Sequence, residues 1–103
     1  MRENIGENQR VEKMKRVRFT IIGRVQGVGF RWYVEEKARK LGLNGFVRNI
    51  PDGDVMVMVE GSEDNIRKLE IYLWKGPAFA SVENVIKQEE EYKGDLREFY
   101  ISF

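Results

Sequence analysis

"GFVRNIPDGDVMVMVEG", residues 45–61, decides the fold. Pro51, Asp52 and Gly53 are turn residues, and each flank carries apolar residues at alternate positions, so the segment reads as a β-hairpin. One strand is expected near Gly45–Ile50. The other is expected near Asp54–Glu60, with Val55, Val57 and Val59 on one face. "DGDV" at Asp52–Val55 imitates the start of phosphatases that use an aspartyl nucleophile, but it falls in the hairpin turn and the chain is too short for that larger fold. It is a turn.

Outward from the hairpin the period changes. Upstream, Phe30, Tyr33, Val34, Ala38 and Leu41 recur at helical spacing, and Gly42 supplies a stop. Before them Val17, Phe19 and Ile21 alternate with Arg18, Thr20 and Ile22 as a half-buried strand. Downstream, Ser62 is a candidate N-cap for a helix burying Ile66, Leu69 and Leu73, which "KGP" at Lys75–Pro77 ends. Val82–Gln88 is a further apolar-rich run, and Phe99, Ile101 and Phe103 alternate as a last strand. The order is βαββαβ with an extra C-terminal strand. That is the α+β, ferredoxin-like sandwich: a mostly antiparallel sheet with two helices on one face. Residues 1–14 are polar and without clear period, a flexible tail, and 15–103 form one domain. This fold hosts many unrelated functions, so function must come from the site.

Composition narrows the chemistry. A chain of 103 residues with 42% hydrophobic content supports one small globular core, with no apolar run long enough to span a bilayer. The start is not a secretory signal and there is no cysteine, so a cytoplasmic location is expected, with no membrane partner. A net charge of +1, from 18 basic and 17 acidic residues, argues against a nucleic-acid partner. The absence of both His and Cys excludes a cysteine or phosphohistidine nucleophile, a histidine general base and the common zinc sites. The acidic run Glu89–Glu91 lacks the spacing of a metal cage and reads as a solvated face.

"GRVQGVGFR", Gly23–Arg31, joins the first strand to the first helix. No Lys-Ser/Thr pair follows its glycines, so it is not a Walker loop. The third glycine of a dinucleotide fingerprint is also missing. What remains is a strand–loop–helix junction whose unpaired N–H groups can converge on an anion, or else a connection that simply needs glycine dihedrals. Arg31 bears on that choice. A cation in the first helical turn costs about 0.3–1 kcal/mol against the helix dipole, whereas a bound anion reverses the sign and suits a guanidinium fork. The plainer alternative is a pair with Glu35 one turn on. Loop and arginine together favour the anion. Asn49, at the end of the "GFVRN" strand, reads on its own as turn chemistry, and Trp32 and Trp74 as helix residues that pack or lie partly exposed.

Taken together, the sequence resembles the acylphosphatase family from about Arg18 to Phe103. "GRVQGVGFR" matches that family's phosphate-loop motif. "GFVRN", "PDGDV" and "EG" match its second block, with Phe46 where tryptophan is more usual, and "KGPAFASV" and "FYISF" fall in register. The resemblance implies an acylphosphatase that cleaves the carboxyl–phosphate bond of an acyl phosphate to a carboxylate and inorganic phosphate, without metal or cofactor. It implies that Arg31 binds substrate phosphate and Asn49 positions the attacking water. Gln26, Gly27, Val28, Gly29 and Phe30 would present the backbone donors. A free-standing monomer is expected, although the same module also opens larger proteins that handle carbamoyl phosphate in hydrogenase maturation. The rival classes are an RNA-binding ferredoxin-like domain, against which "VMVMV" offers no stacking aromatics, and a regulatory module that binds phosphate without turnover.

Overall fold

The computed structural model describes residues 12–103. The elements are β1 (Met14–Arg24), α1 (Phe30–Lys40), β2 (Asn44–Asn49), β3 (Val55–Ser62), α2 (Glu63–Lys75), β4 (Ser81–Glu90) and β5 (Phe99–Ile101). The strands form one sheet in the order β4-β1-β3-β2-β5. Every pairing is antiparallel except that of β2 with β5, which is parallel. This is the expected α+β, ferredoxin-like arrangement.

The hairpin supplies the centre. Val55, Val57 and Val59 are fully buried and face Ile21, Phe19 and Val17 across the β1–β3 ladder. Strand side chains alternate faces, so this set shares one side of the sheet. Phe30, Val34 and Ala38 of α1 and Ile66, Leu69 and Leu73 of α2 close over that side. Each of these side chains larger than alanine stabilises the fold by about 1.5–3 kcal/mol relative to exposure. No helix among the described residues is long and apolar enough to cross a membrane.

The opposite face carries charge. Glu60, only 3% exposed, accepts from Arg16 at 3.1 Å and from the backbone N–H groups of Lys93 and Gly94 at 2.9 and 3.3 Å. Arg18 pairs with Glu90 beside it. Burial pushes the Glu60 carboxyl up, but the Lys93 N–H, the Arg16 guanidinium and the Gly94 N–H together outweigh it and hold the group below the ordinary glutamate value. Because β4 and β5 lie at opposite edges, the chain between them must cross the sheet. Glu60 ties down that crossing.

The boundaries at the two ends of the sheet-forming chain are among those that differ from the sequence-based expectation. β1 begins at Met14, inside the segment assigned to the tail, with Met14 opposite Ser62 and Lys15 opposite Gly61. Its polar opening hid the strand because Lys15 and Arg16 are paired with Glu89 and Glu60. The remainder of the tail, up to residue 11, lies outside the described residues. At the other end β5 stops at Ile101. Ser102 N–H still donates to Val47 at 2.8 Å, and Phe103 leaves the ladder.

The helices begin differently. Ser62 caps α2, its hydroxyl accepting from Asn65 N–H at 3.2 Å, with Glu63 and Asp64 in the first turn. α1 starts from Gly29 with no side-chain cap and no acidic residue in its first turn.

Candidate active site

The loop between β1 and α1 is shaped by Gly27 and Gly29, at φ +75° and +80°. These left-handed conformations disfavour other residues, and a Cβ at either position would meet nothing within 4 Å. The glycines are therefore required by dihedral angle and not by crowding, and the space above the loop is open. Tyr33 N–H donates to the Gly29 carbonyl at 3.1 Å; among the described residues the N–H groups from Gly27 to Trp32 find no backbone acceptor. Free donors at a helix start, with no acidic residue in the first turn, can receive an anion.

Gln26 contributes through its side chain. Its Nε2 donates to the carbonyls of Ile50 and Asp54, both at 2.8 Å. Asp54 O also accepts from Ile50 N–H at 2.9 Å, closing the β2–β3 turn. Gln26 thus clamps the glycine loop to the hairpin turn that follows Asn49. The turn is further set by Asp54 N–H donating to Asp52 Oδ1 at 3.0 Å. Desolvation first, and the charge of Asp52 second, push the Asp54 carboxyl above its ordinary value.

Arg31 and Asn49 meet across this junction. Both line a cavity of about 280 Å³ together with Val25, Gly27, Gly29, Phe30, Trp32 and Phe103. Glu35, the plainer partner considered for Arg31, is engaged instead by Arg39 at 3.1 Å. Arg31 lies over the Phe103 ring, with Cζ 4.7 Å from the ring centroid. Of the candidate site residues, Gly27, Gly29, Phe30, Arg31 and Asn49 therefore share one cavity. Gln26 clamps from outside it, and the Val28 side chain packs against the core. Sequence reasoning missed Phe103, read as strand, and Trp32, read as a helix residue that packs or lies partly exposed, as parts of this cavity. Their signal was weak because a strand end and a helix position do not reveal which surface they border. Among the described residues no group of His, Cys, Asp or Glu is arranged to hold a metal ion.

Fold and site together define a ferredoxin-like α+β domain with a glycine-shaped loop and a cavity at its first strand–helix junction. The sequence pattern of the acylphosphatase family matches residues 17–101. An acylphosphatase from Thermococcus kodakarensis is 48% identical over 83 residues, 79% of this chain and 91% of that protein. The structure of an acylphosphatase from Bacillus subtilis superposes with a TM-score of 0.84 at 32% identity, covering 88% of this chain and all of that one (100%). T. kodakarensis HypF also superposes, with a TM-score of 0.77 at 32% identity, but the match covers 86% of this chain and only 12% of that one. The chain belongs to the acylphosphatase family, and its activity is of the acylphosphatase class.

Proposed function

We propose that this site hydrolyses acyl phosphates by direct attack of water on a phosphate held by Arg31 and the loop from Gln26 to Phe30, with Asn49 positioning the water. The observation that carries this is the meeting of Arg31, from the glycine motif, and Asn49, from the hairpin motif, in one cavity lined by Gly27 and Gly29. Arg31 and the backbone N–H groups face the terminal phosphate oxygens, where negative charge spreads in the transition state. The Asn49 carboxamide orients water in line but cannot serve as a base, so a phosphate oxygen of the substrate takes the proton. Water oxygen bonds to phosphorus as the phosphorus–oxygen bond to the acyl group breaks. A carboxylate is a good leaving group, so no strong general acid is required, in keeping with a chain that has neither His nor Cys.

The proposed enzyme works without metal or cofactor as a cytoplasmic monomer, without nucleic-acid or membrane partners. The near-neutral charge supports the absence of a nucleic-acid partner. The test is steady-state hydrolysis of benzoyl phosphate in EDTA by wild type, Arg31→Ala and Asn49→Ala. Metal-free turnover that both variants lose supports the proposal. A wild type that binds inorganic phosphate but turns nothing over would make this an anion-binding module.

A further inference from the structure

The end of the sheet away from the glycine loop carries a second cavity, of about 330 Å³, which the proposed hydrolysis does not use. Met14 at the start of β1 and Asn44 at the start of β2 border it, at the strand ends opposite Arg31 and Asn49. The chain that crosses the sheet after β4 adds Tyr92, Leu96 and Arg97. The two cavities have no lining residue in common.

Glu60 is the buried carboxylate of this second lining. The bonds it accepts from Arg16 Nη1 and from the Lys93 and Gly94 N–H groups all fall on Oε2. Among the described residues Oε1 accepts none, although the carboxyl is held below the ordinary glutamate value and so carries its charge at neutral pH. A buried charged oxygen without a donor is costly. The surrounding charge is also short of a cation. Arg16 is shared by Glu60, Asp95 and Glu90, and Arg18 serves Glu90 as well, so three carboxylates meet two guanidinium groups. Arg97, in the same lining, is exposed and forms no ion pair among the described residues. The cavity thus offers one underused charge of each sign.

We propose that this cavity binds a small zwitterion, an α-amino acid with an apolar side chain, whose ammonium group donates to Glu60 Oε1 and whose carboxylate pairs with Arg97. An ammonium carries three donors, enough for the open carboxylate oxygen and for the carbonyl of the Asn44 side chain. A guanidinium fork matches a carboxylate in shape and charge. Met14, Leu96 and the Tyr92 ring supply apolar surface against which the side chain leaves water. The volume is near the lower end of small-molecule sites, as suits a ligand of this size. An amine or a carboxylic acid alone answers only one of the two charges. The proposal does not rest on the hydrolytic activity.

The test titrates isotope-labelled protein with L-phenylalanine, with phenethylamine and with hydrocinnamate, following backbone amide shifts by NMR. L-leucine is run alongside, so that a ring too large for the cavity is not mistaken for a missing site. At least one of the two amino acids should shift the Gly61, Lys93 and Gly94 amides saturably in the millimolar range or below, leaving those of Gly27 and Gly29 in place. Phenethylamine and hydrocinnamate should each bind about tenfold or more weakly than the amino acid, since each lacks one charge-assisted bond. Arg97→Ala, an exposed change, should bring the amino acid down to the affinity of the amine. Glu60→Gln, titrated below its melting temperature, should weaken amino acid and amine alike. Absence of saturable shifts at these amides with both amino acids overturns the site. Amine or acid binding as tightly as the amino acid, or an affinity untouched by Arg97→Ala, overturns the paired recognition proposed for it.

Discussion

The guanidinium of Arg31 lies 4.7 Å from the ring centroid of Phe103. That contact explains how a cation is tolerated in the first turn of α1, where no acidic residue accompanies it. An exposed cation–π contact is worth about 0.5–1 kcal/mol, close to the 0.3–1 kcal/mol that the helix dipole costs an arginine there. The two nearly cancel, so the Phe103 ring offsets what the helix dipole costs Arg31 at the edge of the cavity. Phe103→Ala should accordingly weaken inhibition by inorganic phosphate about two- to fivefold, with melting temperature little changed because the ring is exposed. Phosphate inhibition identical to wild type would show that the ring does not hold the arginine.

Gln26 makes the second connection. Its carboxamide is bonded to Ile50 and Asp54, and so fixes the glycine loop against the turn beyond Asn49. Gln26→Ala removes both bonds, each worth about 0.5–1.5 kcal/mol net, and lets the two halves of the site drift apart. Denaturant unfolding should show a loss of about 1–3 kcal/mol, and kcat on benzoyl phosphate should fall about tenfold or more, since small misplacements of reacting groups are costly. Wild-type kcat in a destabilised variant would confine Gln26 to a purely structural role.

The buried Glu60 predicts an acid limit to stability. Its carboxyl is held below the ordinary glutamate value in the folded protein, so the folded state favours the ionised form. Its contribution is complete above the pKa of the unfolded chain and is lost as pH falls through the lower, folded value. Arg16, Asp95 and Glu90 share this cluster with it. Thermal unfolding measured from neutral pH down through the carboxylate range should show a falling midpoint in wild type. In Glu60→Gln that slope should be shallower, on a background destabilised by about 1.5–3 kcal/mol. Parallel curves would show that Glu60 is not the group responsible.

Much of this architecture was readable from periodicity. Val55, Val57 and Val59, the α1 and α2 apolar stripes, and the Ser62 cap each follow from local pattern, and each falls where expected. The start of β1 did not, because Met14 was assigned to the tail, and the polar Lys15 and Arg16 give no strand signal until Glu89 and Glu60 are seen opposite them. Arg31 and Asn49 could be singled out one motif at a time. Their meeting in one cavity depends on where α1 and β2 pack, and no spacing encodes that. Phe103 was hidden for a topological reason. The parallel pairing of β5 with β2 carries the chain in the direction of Asn49, so a residue that reads as strand ends beside Arg31.

The most direct test separates phosphate binding from turnover in Asn49→Ala, using the inhibition constant of inorganic phosphate and kcat on benzoyl phosphate in EDTA, with Arg31→Ala alongside. If Asn49 only positions water, Asn49→Ala should keep phosphate inhibition within about threefold of wild type while kcat falls by roughly 10²-fold or more. Arg31→Ala should lose both. Parallel loss of binding and turnover in Asn49→Ala would contradict the division of labour between the two residues, and near-normal turnover by Arg31→Ala would contradict the site itself.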